Sequence, residues 1–198
     1  MDKQSIKNLT GKQAIERLLE GNKRFVSSEM IYPNQKPQHR TELLKGQNPY
    51  AVVLGCSDSR VPPEIIFDQG LGDLFVIRVA GNVLDGIVLG SIEYAVQYLR
   101  TPLVMVLGHS DCGAVKAAVA STELMGNLSI IASAIQPAIH DLKKHSSDIV
   151  EDVVHANSLN VARQIRSATP ILAEYVQNGK VTVVAATYDL QTGVVEML

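Results

Sequence analysis

Residues 50–54 and 103–107 are short, unbroken apolar runs, each closed by a glycine, Gly55 and Gly108. Runs of that length without polar alternation mark strands buried on both faces, as in sheets covered by helices on either side. Residues 74–79 and 180–188 read as two further strands. Residues 194–198, reached through the turn Gln191-Thr192-Gly193, read as an antiparallel edge strand. Helical patterns lie between these runs. In residues 86–100, Leu89, Ile92, Val96 and Leu99 share one face, and Thr101 before Pro102 ends the helix. Residues 113–120, 127–144, 148–167 and 171–178 read as further helices; Pro137 is a point of bending in one, and Gly179 follows the last. This alternation predicts an α/β fold: a mostly parallel central sheet flanked by helices in right-handed βαβ units, with an antiparallel C-terminal edge strand.

Before residue 50 the pattern differs. Thr10 and Gln13 make a capping-box pair that opens a helix carrying Ile15, Leu18, Leu19 and Val26. Residues 29–49 are polar and punctuated by Pro33, Pro37 and Pro49. They read as an extended arm with one short helix near residues 40–45, lying as a loop or reaching across to another subunit. No linker divides the chain, so residues 1–198 read as one domain, with 1–49 as an N-terminal helical arm.

Composition narrows the classes of function. The chain is 46% hydrophobic and 19% charged, enough apolar content for a packed core. A net charge of −2 and a pI of about 6.2 leave no basic excess to neutralise a phosphate backbone, so nucleic acid is not an expected partner. The apolar runs fall far short of the roughly 20 residues of a bilayer span, so no membrane association is expected. The polar residues 1–10 lack the apolar stretch of a secretory signal, which makes the cytoplasm the expected location. With two cysteines no disulfide framework is expected. Cys56 and Cys112 are left as ligands, nucleophiles or buried apolar side chains.

The surroundings of the cysteines bear on that choice. Val53-Leu54-Gly55-Cys56-Ser57-Asp58-Ser59 is echoed by Val106-Leu107-Gly108-His109-Ser110-Asp111-Cys112: strand, glycine, then a side chain able to bind metal. Both emerge at carboxyl ends of strands, where open α/β sheets place their sites. Two thiolates and an imidazole suit Zn²⁺ in a tetrahedron, and three protein ligands leave one position open, as in catalytic zinc sites. Spacing alone leaves an alternative, in which the cysteines are buried apolar residues and His109 is a loop histidine. Asp58 and Arg60 weigh against it, because a strand-end loop has no need of such charges for its backbone.

Cys56-Ser57-Asp58-Ser59-Arg60 followed by His109-Ser110-Asp111-Cys112-Gly113 resembles the paired signature of the β-class carbonic anhydrases. Asp68-Gln69-Gly70-Leu71-Gly72-Asp73-Leu74-Phe75 and Arg78-Val79-Ala80-Gly81-Asn82 are also similar to that family, and the similarity runs from about Thr10 to the C-terminal strands. The resemblance implies one Zn²⁺ per subunit, held by Cys56, His109 and Cys112. It implies reversible hydration of carbon dioxide to bicarbonate and a proton by attack of zinc-bound hydroxide. Asp58 and Arg60 match a dyad beside the metal. Gln47 matches a pocket residue that donates to bound bicarbonate, and Phe75 and Tyr94 match aromatic pocket positions, some supplied by a neighbouring subunit. The implied assembly is a homodimer embraced by its N-terminal helices, or a homotetramer.

Other readings stand beside this one. Asp58 turned away from Arg60 would become a fourth ligand in a closed state, giving a pH-gated enzyme or a non-catalytic, zinc-stabilised regulatory protein. The subgroup with a bicarbonate-controlled gate carries a tryptophan just before the first cysteine and an arginine like Arg78. Here Val53 stands at the tryptophan position and the chain has no Trp, which speaks against that gate. The same zinc fold acting as a carbonyl sulfide or carbon disulfide hydrolase is the closer rival, since those substrates are also small and linear. A thiol redox protein is disfavoured by the lack of a Cys-x-x-Cys pair. His39, His140, His145 and His155 read as surface or helix residues, Asp111 as a capping or loop-bonding residue, and Asp85 and Lys116 as ordinary surface residues. Gly70, Gly72, Gly81 and Gly113 read as turns and close approaches, Gly113 letting its helix begin near the metal.

Overall fold

In the computed structural model, which describes residues 9–120, 124–142 and 148–198, the two glycine-closed runs form the middle of a five-stranded sheet. β1 (Ala51–Gly55) and β3 (Leu103–His109) lie side by side and parallel, with every residue buried. β2 (Leu74–Arg78) pairs parallel with the outer side of β1, and β4 (Thr182–Tyr188) pairs parallel with β3. β5 (Val195–Met197) runs antiparallel along β4 and closes that edge, as the sequence predicts. The order is β2-β1-β3-β4-β5. The chain goes from β1 to β2 on one side and returns to β1's other side for β3. The strand order therefore reverses between β1 and β3, and the crevice at their carboxyl ends is where open α/β sheets bind ligands.

Strand alternation sorts the core into two layers. Ala51, Val53, Leu103, Met105 and Leu107 pack with α1 (Gly11–Val26), α5 (Gly113–Ala120) and α6 (Leu128–His140). Val52, Leu54, Val104 and Val106 pack with α4 (Gly86–Gln97) and α8 (Leu172–Gln177). The long α7 (Ile149–Ser167) serves both, with Val153 and Val154 in the first layer and Val161, Ala162 and Ile165 in the second. Each large apolar side chain so buried contributes about 1.5–3 kcal/mol.

Helix starts follow local chemistry. Gln13 N–H donates to Thr10 Oγ1 at 3.3 Å and Thr10 N–H to Gln13 Oε1 at 2.9 Å, completing the capping box of α1. Asp85 is not an ordinary surface residue: its carboxylate caps α4 by accepting from Val88 N–H at 2.7 Å. The arm's helix, α2 (Pro37–Leu43), begins earlier than residues 40–45 because Pro37 suits a first turn. The short α3 (Pro63–Ile66) was not apparent from apolar periodicity; prolines at its start explain it. α4 ends at Gln97 rather than Arg100, whose φ is 56°. Of the helix expected over 127–144, residues 143 and 144 lie outside the described residues, as does His145. Among the described residues no helix is long and apolar enough to cross a membrane.

Two buried carboxylates fasten the arm to the body. Asp68 accepts from Arg24 Nε at 2.6 Å, Ile31 N–H at 3.1 Å and Tyr32 N–H at 3.0 Å. Burial pushes its pKa up, but these donors outweigh burial and hold it below the usual aspartate value. Asp73 accepts from Asn34 Nδ2 at 2.8 Å and from Gly70 N–H at 2.8 Å. Gly70 is required here, because a Cβ would lie 1.9 Å from the Pro33 carbonyl oxygen.

Candidate metal centre

The crevice between β1 and β3 gathers the three sequence-predicted ligands. Cys56 is the first residue beyond β1, His109 is the last residue of β3, and Cys112 immediately precedes α5. Their sulfur and ring-nitrogen atoms lie within 4.8 Å of one another, and all three residues are buried. His109 Nδ1 lies 2.8 Å from the Ser110 carbonyl oxygen, an acceptor only, so this nitrogen carries the proton. Nε2 keeps its lone pair and, although buried, has no hydrogen-bond partner within the chain among the described residues. An orphaned imidazole nitrogen facing two sulfurs fits a soft or borderline cation.

Backbone amides face both sulfurs. Gly81, in the 3₁₀ turn after β2, donates its N–H to Cys56 Sγ at 3.3 Å. The Ala114 and Val115 amides of α5's first turn are directed at Cys112. The Cys112 thiol beside it holds the Cys56 pKa well below the ordinary thiol value, whereas that same pairing and burial push Cys112 up. Behind Gly81, Asn157 of α7 donates from Nδ2 to the Gly81 carbonyl at 2.9 Å.

Asp58 and Arg60 are brought together beside this cluster. Asp58 Oδ1 accepts from Arg60 N–H and Nε, each at 2.9 Å, and Oδ2 accepts from Arg60 Nη2 at 2.7 Å. The Arg60 guanidinium keeps the Asp58 carboxyl well below the usual carboxylate range. Asp58 Oδ2 stands 4.0 Å from His109 Nε2, so the carboxylate adjoins the cluster while engaged with Arg60. Arg78, at the end of β2, donates to the carbonyls of Cys56 (2.9 Å) and Asp58, fixing the backbone that carries both.

Some sequence expectations need correction. Lys116 is not a plain surface residue: with Arg60 (3.6 Å) it brackets the Asp111 carboxylate, which is a bridge between two cations rather than a helix cap. These three side chains, with Ser110, Glu151 and Asp189, line a cleft of about 660 Å³. A Cβ at Gly113 would meet nothing within 4 Å, so no close approach demands that glycine. The pocket residues are not drawn to the cluster within one chain. Gln47 is exposed in the arm. Phe75 on β2 and Tyr94 on α4 have ring centroids 6.2 Å apart, Tyr94 stacks on Tyr98, and neither lines the cleft at Arg60.

Asn157 escaped the sequence reading. Its only signal is that Asn157, Ser158 and Asn160 interrupt the otherwise apolar buried face of α7, which a periodicity argument counts as noise.

A family model described as carbonic anhydrase matches residues 51–195. "Carbonic anhydrase 2" of Mycobacterium tuberculosis is 41% identical over 184 residues, covering 91% of this chain and 89% of the relative. The chain belongs to the β-carbonic anhydrase family. Solved β-carbonic anhydrases share its architecture. A Coccomyxa enzyme in complex with acetazolamide matches with a TM-score of 0.75 at 25% identity, covering 93% of this chain and 86% of that one. One of two tetrameric β-carbonic anhydrases from Sordaria macrospora gives a TM-score of 0.74 over 93% and 96% of the chains; at 23% identity it speaks to fold alone. In this β-carbonic anhydrase the Cys56–His109–Cys112 group is the one placed to bind a metal ion among the described residues.

Proposed function

We propose that the chain is a zinc-dependent carbonic anhydrase that interconverts carbon dioxide and bicarbonate. The observation that carries this reading is the convergence of Cys56 Sγ, His109 Nε2 and Cys112 Sγ within 4.8 Å, beside an aspartate clamped by an arginine. Zinc is favoured by the donors, since two thiolates and an imidazole make a catalytic-type set with room for a fourth ligand. Bound there, zinc would supply the Lewis acidity that makes a water molecule a nucleophile near neutral pH. Two thiolates give up more charge than imidazoles do, so the neighbouring side chains matter more here than in a three-histidine site.

Asp58, kept ionised by Arg60, would accept a hydrogen bond from the reacting water and so aim its lone pair at carbon dioxide. Arg60 is half exposed, so its role is to hold Asp58 rather than to reach substrate. The Asp58–Arg60 pair favours the open reading over the closed one, because turning the carboxylate onto the metal would break all its bonds to Arg60. Gln47, on an exposed arm, and the Phe75–Tyr94 flank are read as completing a neighbouring subunit's pocket in a homodimer or homotetramer.

Stopped-flow carbon dioxide hydration on zinc-quantified protein tests the proposal. We expect about one zinc per chain and rapid hydration. Full zinc occupancy without hydration would overturn the reaction, and absence of bound zinc would overturn the metal assignment.

A further inference from the structure

We propose that Asn157 is a positioning residue for the metal centre, fixing the Gly81 peptide so that its N–H bonds to the Cys56 sulfur and tempers that ligand. The inference rests on the metal-centre reading above and adds to it a means of tuning one sulfur.

The two cysteines differ in how their sulfurs acquire amide donors. Cys112 precedes α5, and a helix start presents free N–H groups without further help. Cys56 follows a strand and has no helix N-terminus behind it; its sulfur draws on the Asp58 amide of its own loop and on a second amide brought from the turn after β2. That turn is not rigid by its own chemistry. Gly81 adopts φ 70° and ψ 16°, the left-handed region that glycine enters freely. A side chain there would also be crowded, because a Cβ would stand 3.0 Å from Ile135 Cδ1 and 3.3 Å from Ala114 Cβ. The residue that must aim an N–H at sulfur is thus weakly constrained by its own conformational preferences, and an outside group has to hold it.

Asn157 is that group. It is 2% exposed on α7, and its Nδ2 reaches the Gly81 carbonyl at 2.9 Å across a separation of 76 residues. Burying an amide in an apolar helix face is costly unless it is bonded, so a leucine would be the simpler choice for packing alone. With the carbonyl gripped by Asn157 and the N–H given to Cys56, both polar groups of Gly81 are committed. An N–H bond to a thiolate withdraws electron density from the sulfur, weakens its donation and leaves the bound metal more electrophilic.

The test uses the full chain loaded with Co²⁺, whose sulfur-to-metal charge-transfer band reports the donor strength of the thiolates. In Asn157→Leu the band is expected to move to longer wavelength, and kcat/KM of the zinc form to fall roughly 10-fold, the lower end for an outer-shell change. Asn157→Ala, which removes the donor without adding bulk, is expected to do the same and serves if the leucine variant does not fold. Val161→Ala, in the other core layer, is expected to lower stability and leave the band in place. Independently, ¹¹³Cd-loaded wild type is expected to show scalar coupling between cadmium and the Gly81 amide proton, lost in either Asn157 variant. An unmoved band in a folded variant, a shift in Val161→Ala as large as in Asn157→Leu, or no Gly81 coupling in wild type would overturn the inference alone. Failure of wild type to bind Co²⁺ or Cd²⁺ would overturn the metal centre and this inference with it.

Discussion

In β1 and β3 every residue is buried, and the ligand-bearing tips are held by apolar packing on both faces. The arm between α1 and β1 is held by other means. Ile31, Tyr32 and Leu44 stand 65%, 58% and 84% exposed, α2 buries nothing, and the segment is fastened through Asp68 and Asp73. Apolar packing is non-directional and indifferent to pH. A buried carboxylate clamp depends on each donor and on its own ionisation. The two regions are thus held by independent means, and the arm can be loosened without disturbing the packing of the metal centre.

The strongest way to separate the regions is to remove a ligand. Cys112→Ser should reduce zinc from about one per chain to near none. It should also lower carbon dioxide hydration by more than about 100-fold, beyond the range of outer-shell changes. Limited proteolysis of the arm should be unchanged, since Asp68 and Asp73 are untouched. Next in size is Met105→Ala on β3, fully buried between the layers, which should cost about 2–5 kcal/mol in urea unfolding.

Asp68→Asn reaches the arm instead and should cost about 1–3 kcal/mol, the penalty of leaving buried donors poorly matched. Proteolysis within residues 27–49 should accelerate while zinc content holds. The pH dependence has a definite sign. The folded-state pKa of Asp68 lies below its unfolded value, so its ionised form contributes fully above the ordinary aspartate value of ~3.9. That contribution is lost as pH falls through the folded value. Urea midpoints of Asp68→Asn should therefore decline less on acidification than those of wild type. Smallest of all, Leu44→Ser should change stability by no more than about 0.5 kcal/mol, because its side chain is already in water.

The legible parts of this molecule were those written in local pattern. Continuous apolar runs gave β1 and β3, Thr10 and Gln13 gave the start of α1, and the echo of Gly55-Cys56 in Gly108-His109 pointed to the crevice. Interactions between distant segments were not legible. Arg78 holding two carbonyls, Asn157 reaching Gly81 and Asp111 bridging Arg60 and Lys116 depend on the tertiary fold, and no spacing rule encodes them. Asp85 was missed for a simpler reason: its capping role shows in sequence only once the start of α4 is fixed to one residue.

Zinc K-edge X-ray absorption on the zinc-loaded chain reads the metal's ligands without intermediary. The Cys56–His109–Cys112 site should give a sulfur shell of two scatterers at about 2.3 Å with lighter atoms at about 2.0–2.1 Å, and one sulfur fewer in Cys56→Ser if that variant retains any metal. A zinc environment of nitrogen and oxygen alone would contradict it.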